Sequence, residues 1–310
     1  MGRQKRNFGS VLVELLLFPL YALPLGFHRV WARLVVWVLR DVMRYRRDVI
    51  VTNLSRSFPE LKYKHIAALT RKIYAHFGDI LAEAVWFGGR RGERGRRRLN
   101  ASGMVDIVNP GEFNELFVNS GSVMVLCAHM GNWEVTTGMF SYNHDAEVPL
   151  VAGNSELCVV YRRLKSRTWD RVFADNRLNC LKGTGFHGYL ESGEVLRFAL
   201  TNRSEKHVYV FVTDQHPYRG AAKHPVGTFM NQDTLSMNGG AALACKLKMG
   251  VCYLSMKSTG RGKYSMEFVP LCTDASQTTP DEIMKRYYAL LEKDIREQPE
   301  MYLWTHKRWK

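Results

Sequence analysis

The sequence predicts an α/β fold: a mostly parallel central sheet flanked by helices, preceded by membrane-associated amino-terminal helices. Three observations carry this. From Ser122 onward, short apolar runs of strand length alternate with amphipathic stretches of helical period, as in a parallel sheet with crossover helices. Runs such as "SVMVLC" and "HVYVFVTD" are apolar at nearly every position, which suits strands covered on both faces. Before residue 60 the pattern differs, with apolar helical segments interspersed with arginine. The expected division is a helical interfacial segment over 1–60 and an α/β domain over 61–310. No internal repeat, low-complexity tract or long linker argues for further domains.

Composition narrows the function classes. The 310 residues are 46% apolar, too few for a polytopic membrane protein. Lys and Arg number 44 against 29 Asp and Glu, for a net charge of +15. Such a surface seeks phosphate, whether on nucleic acid, an anionic bilayer or an acidic carrier. The six cysteines show no CxxC spacing and mostly sit within apolar runs, so they read as reduced and buried and not as a zinc site.

The elements follow in order. Residues 11–27, "VLVELLLFPLYALPLGF", are apolar except for Glu14, and a basic "MGRQKRN" precedes them. No small-residue cleavage site follows, and Pro19, Pro24 and Gly26 interrupt a run already short for a span. Whether it crosses a membrane or lies on one stays open. In "HRVWARLVVWVLRDVMRYRRDV", Arg29, Arg33, Arg40, Arg44 and Arg47 share one face of an expected single helix, with Val, Trp and Leu around the rest. A basic stripe on an apolar, Trp-containing helix suits a bilayer interface, and so wide an apolar face does not suit nucleic acid. A second helix, Lys62 to Phe87, places Ile66, Leu69, Ile73, Phe77, Ile80, Ala84 and Phe87 at core spacing. "FGGRRGERGRRRLN" reads as a basic loop, either simply solvated or facing phosphate head groups.

The α/β part then reads as strand "SVMVLC", helix "NWEVTTGMFSYN", strand "EVPLVAG" and helix "SELCVVYRRLKSRTWDRVFADN". "FHGYLESGEVLRFAL" reads as helix, "HVYVFVTD" as strand and "LSMNGGAALACKLK" as helix. "GVCYLSMKS" and "YSMEFVPL" are strands. The last helix, "PDEIMKRYYALLEKDIREQP", begins at Pro280 and stops before Pro299.

The chemistry centres on "CAHMGNWE". No GxSxG, HExxH, Walker-type or dinucleotide glycine motif is present in a suitable context. His129 follows a strand directly, where α/β sheets gather ligands. Glu134 can reach back to the imidazole if Gly131 allows a turn, fixing the tautomer and stabilising the imidazolium. No Ser or Cys lies between them to act as nucleophile, so the pair reads as a base that activates a hydroxyl of the substrate. Asp214 ends "YVFVTD" at a second strand end, and a turn cap is its structural alternative.

These residues, with "YRRDVIVTNLSRSFPE", "YRRLKSRTWDRVF", "TDQHP" and "MYLWTHKRWK", resemble the bacterial lipid A late acyltransferases (the lauroyl and myristoyl acyltransferase family) in the family's order, from about residue 10 to 310. "HMGNWE" has that family's H-x4-E form. The resemblance implies transfer of a fatty acyl chain from a thioester, on acyl carrier protein or CoA, to a hydroxyl of a lipid A precursor. It implies His129 as base, Glu134 as its partner, and further catalytic positions at Arg177 and Asp214, with Arg171 competing for the arginine's place. Asn132, Arg162 and Gln215 are the expected substrate-binding positions, and no metal or cofactor is called for.

The developing oxyanion needs donors, and the backbone amides near Gly131 and Asn132 are candidates. The implied partners are the acyl donor, a glycolipid acceptor and the anionic inner membrane at its cytoplasmic face, with no nucleic acid. "VGTFMNQDT" departs from the family pattern and leaves the acceptor open. Another lipid acceptor, such as a lysophospholipid or aminolipid, and a non-catalytic lipid-binding module are the alternatives. His216 and His224 read as surface residues.

Overall fold

The computed structural model describes residues 7–142, 147–186, 188–218 and 224–309. Helices α1 (Phe8–Leu20), α2 (Leu25–Trp37), α3 (Arg47–Ser57), α4 (Tyr63–Gly88) and α5 (Gly92–Ala101) come first. Strand β1 (Val105–Ile107), α6 (Pro110–Asn119) and β2 (Val123–Cys127) lead to a 3-10 helix at Trp133–Ser141. Then follow β3 (Leu157–Tyr161), α7 (Arg167–Leu178), β4 (Leu190–Glu191), α8 (Val195–Thr201) and β5 (Val208–Val212). The hairpin β6 (His224–Phe229) and β7 (Gln232–Ser236) precedes α9 (Gly239–Lys246), β8 (Gly250–Gly260), β9 (Lys263–Cys272) and α10 (Pro280–Glu297).

Among the described residues, seven strands form one sheet in the order β1-β9-β8-β2-β5-β3-β4. All neighbours pair in parallel except β8 with β9. The expectation of a mostly parallel sheet with flanking helices is met. β2 sits between β8 and β5, and every residue of "VMVLC" is buried, because helices cover both faces of a parallel sheet. Helix α4 buries Ile66, Leu69, Ile73, Ile80 and Phe87 as its spacing predicts, while Phe77 and Ala84 of the same expected face are only half-buried. Helix α10 starts on a Thr279 cap with Pro280 behind it and buries Ile283, Tyr287, Leu291 and Ile295 along one stripe.

Several expectations are corrected. The segment 156–177 is not one helix: "LCVVY" is β3, and α7 begins only after the Ser166 cap. The β-branched run takes the sheet position beside β5, and "EVPLVAG" therefore forms no strand. It is tied instead to α6, where Asn114 bonds Pro149 and Val151. Residues 133–141 coil as 3-10 helix and not α-helix, in keeping with Val135, Thr136, Thr137 and Gly138 in sequence. Leu190–Glu191 pairs with β3, leaving only α8 of the helix expected there. Likewise "LS" of "LSMNGGAALACKLK" ends β7. The arginine-rich "loop" is helix α5.

The arginine stripe does not survive either. α2 gives way to a π-turn at Val38–Val42, and Arg44 and Arg46 adopt positive φ before α3 starts at Arg47. The five arginines therefore do not share one helix. α2 packs on α4 through Ala32 and Val36, while Val30, Trp31, Leu34 and Trp37 stay exposed. No helix among the described residues is long and apolar enough to cross a membrane.

Candidate active site

The site is set by strand register. Cys127 at the end of β2 pairs with Val212 at the end of β5. Two residues on, His129 and Asp214 leave adjacent parallel strands side by side at the carboxyl edge of the sheet, where α/β folds bind ligands. Asp214 Oδ1 accepts from His129 Nδ1 at 2.7 Å, with the carboxylate 2% exposed and the imidazole 19%. This assigns the proton to Nδ1 and leaves Nε2 as the acceptor, met among the described residues by the Gln215 side-chain amide at 3.3 Å. Burial alone would raise the Asp214 carboxyl, but the charge and hydrogen bonds of His129, with Arg308 beyond, hold it below the usual carboxylate range.

Glu134 lies elsewhere. Arg177 Nε and Nη2 donate to its two oxygens at 2.6 and 2.5 Å, and Trp133 Nε1 donates at 3.1 Å. The expected Glu134–imidazole contact is thus replaced by Asp214. The reason is local: Asn132 caps the 3-10 helix by accepting from the Glu134 amide, which turns that side chain toward α7. Burial opposes the Arg177 charge, but Glu134 outweighs it and raises the guanidinium further above its ordinary value. Arg171, the competing position, is instead paired with Asp175 at 2.5 Å on its own helix.

The remaining positions sort by geometry. Arg162 and Gln215 line a cleft of about 1280 Å³ together with His129, Glu134 and Arg177. Arg162 stacks over Tyr218 at 4.3 Å. Asn132 does not line the cleft: it is 0% exposed, and its amide is used inside the protein. The expected oxyanion donors are also taken, since Gly131 N–H bonds the Met301 carbonyl at 3.0 Å and Asn132 N–H the Met256 sulfur at 3.1 Å. Cys127 lines the cleft as a thiol, pushed up by burial and donating to the Phe211 carbonyl. His224, in the cleft wall, stands 3.4 Å from Asp281. His216 is half-buried, with its backbone N–H donating to His306 Nε2 at 3.4 Å and its ring Nδ1 3.2 Å from the Arg308 carbonyl.

Three features escaped the sequence reading. The carboxyl-terminal segment is strapped against the His129 loop, with Leu303 N–H donating to the His129 carbonyl and Met130 bridging Tyr302. Trp133 sits edge-on to His129 at 5.1 Å between centroids. Glu83 of α4 is wholly buried behind Asn132. The aromatic "YLWTHKRW" hinted at the first, but nothing in the sequence pointed to the last. Among the described residues no cluster of His, Cys, Asp and Glu could hold a metal.

A family model described as bacterial lipid A biosynthesis acyltransferase matches residues 3–310, nearly the whole chain. The chain belongs to this family. It is an acyltransferase of the lipid A type, and His129 lines its large cleft. The comparison with curated proteins returned no match. In the cleft of this acyltransferase, an imidazole held by a buried carboxylate and a guanidinium on the same lining are groups of the kinds that proton transfer and charge stabilisation use.

Proposed function

We propose that this acyltransferase moves a fatty acyl chain from an acyl thioester, on acyl carrier protein or CoA, to a hydroxyl of a lipid A precursor. The observation that supports it most is the His129–Asp214 contact at the cleft wall. His129 Nε2 takes the proton of the acceptor hydroxyl, displacing Gln215 from that nitrogen. The oxygen attacks the thioester carbonyl, and the tetrahedral intermediate collapses with the sulfur as leaving group. The proton held on Nε2 passes to the departing thiolate, so an ester and a thiol are the products. Asp214 holds the tautomer and steadies the imidazolium. Arg177, whose Nη1 is not used in the Glu134 pair, and the Gln215 amide are the donors offered to the oxyanion.

Residues 1–60 form the membrane-docking part and 61–310 the catalytic body in this reading. On α1, Leu15, Leu16 and Phe18 are each more than 60% exposed, as is Val30 on α2. Such a surface is costly in water and favourable at an acyl boundary. Arg91 stacks over Phe18 and Tyr21 at the edge of this patch, where anionic head groups of the inner membrane's cytoplasmic face would meet it. A basic surface also suits an acidic carrier protein.

The test is acyl transfer by purified protein with labelled acyl donor and detergent-solubilised lipid A precursor. Transfer is expected, and His129→Ala should abolish it. Undiminished turnover by that variant would overturn the mechanism.

A further inference from the structure

Glu83 lies in the carboxyl-terminal part of α4, is 0% exposed, and has no part in the chemistry above. A buried carboxyl is expensive unless its oxygens are satisfied. Oε2 accepts from Asn132 Nδ2 and from the Tyr264 hydroxyl, both at 2.8 Å. Oε1 faces Arg29 Nη2 of α2 at 3.6 Å. Gly262 makes room for this approach: at φ +68 it lacks the Cβ that would collide with the Arg29 guanidinium. Burial raises the Glu83 carboxyl and the two hydrogen bonds pull it back, yet Oε2 accepts in either protonation state.

Asn132 is itself wholly buried, with one use for each end of its amide. Its Nδ2 donates to Glu83, and its Oδ1 accepts from the Glu134 backbone at 3.2 Å. An amide oriented the other way would set oxygen against the Glu83 acceptor and N–H against the Glu134 N–H. Glu83 therefore decides which way Asn132 faces, and Asn132 decides how the turn from His129 enters the 3-10 helix that carries Glu134. From the other side, His76 Nε2 donates to the Gly131 carbonyl at 3.1 Å, so the turn is gripped on two flanks by α4.

We propose that Glu83 is a positioning residue for acyl transfer, orienting Asn132 and thereby holding the His129–Glu134 turn in its working geometry. This rests on the reading of His129 as base.

Polarity exchange tests it. Asn132→Asp keeps an acceptor for the Glu134 amide but sets it against the Glu83 acceptor. The loop should shift, and kcat should fall about 10- to 100-fold with the donor KM nearly unchanged, since misplacement of reacting groups costs rate rather than binding. Adding Glu83→Gln supplies an N–H that can donate to the new carboxylate, and the double variant should regain most of the lost kcat. Thermal melting run on the same preparations reports folding, so the rate comparison is made per folded enzyme. Wild-type turnover in Asn132→Asp overturns the proposal, as does a folded double variant no faster than the single one. His129→Ala measured alongside separates the two readings. If it is inactive while the exchange fails to rescue, only the positioning role is lost; if it remains active, the base assignment and this proposal fall together.

Discussion

Arg177 grips Glu134 with two nitrogens, Nε at 2.6 Å and Nη2 at 2.5 Å, at the wall of the cleft that also holds His129. Removing one member leaves the other charged and largely shielded, which is worse than removing both. Glu134→Ala and Arg177→Ala should each lose about 1–3 kcal/mol of stability, and the double variant should lose less than their sum. Chemical denaturation of the four proteins measures this. Strict additivity would show that the pair is not energetically coupled.

Asp214→Asn keeps the shape of the side chain but offers an N–H where the imidazole N–H now points. His129 is then pressed toward the tautomer with its proton on Nε2, which cannot act as base. The expected loss is about 10²- to 10⁴-fold in kcat with the fold retained. Steady-state kinetics and circular dichroism check both halves.

The same carboxylate makes stability depend on pH. Asp214 titrates below its ordinary range when folded. Its stabilising contribution is therefore full above the unfolded value of about 3.9 and is lost as pH falls through the lower folded value. The stability gap between wild type and Asp214→Asn should be flat near neutrality and should narrow below about pH 4. Denaturation midpoints across that range test the sign; a gap that widens in acid contradicts it.

Gly131 has φ +62, and a Cβ there would lie 2.6 Å from the Met256 sulfur. Gly131→Ala meets both backbone strain and a clash inside the catalytic turn. A destabilisation of about 1–3 kcal/mol is expected, with a fall in kcat as His129 moves. Thermal melts and turnover on one preparation measure the two effects.

Trp31 and Leu34 are more than half exposed on the face of α2 turned away from α4. Replacing both by Glu should leave stability within about 0.5 kcal/mol, because both are more than half exposed and lie outside the buried core. Binding to anionic vesicles should drop sharply. Unaltered co-sedimentation with vesicles would remove this face from the docking surface.

Much of the architecture follows from local pattern alone. Buried apolar runs mark β2, β5 and β8, alternation marks β9, and core spacing marks α4 and α10, because period and hydrophobicity are written residue by residue. Position after a strand end likewise singled out His129 and Asp214, and motif order indicated the family. Which groups meet was decided by tertiary structure. The strand register brings Asp214 to His129 across 85 residues of sequence, and the Asn132 cap turns Glu134 to Arg177 across 43. The carboxyl-terminal strap and Met256 occupy the amides of Gly131 and Asn132 that the motif seemed to leave for an oxyanion. A hydrogen bond depends on a few tenths of an ångström between distant segments, and no local period encodes that distance. Local pattern therefore placed His129 at a strand end, and only packing chose which carboxylate meets it.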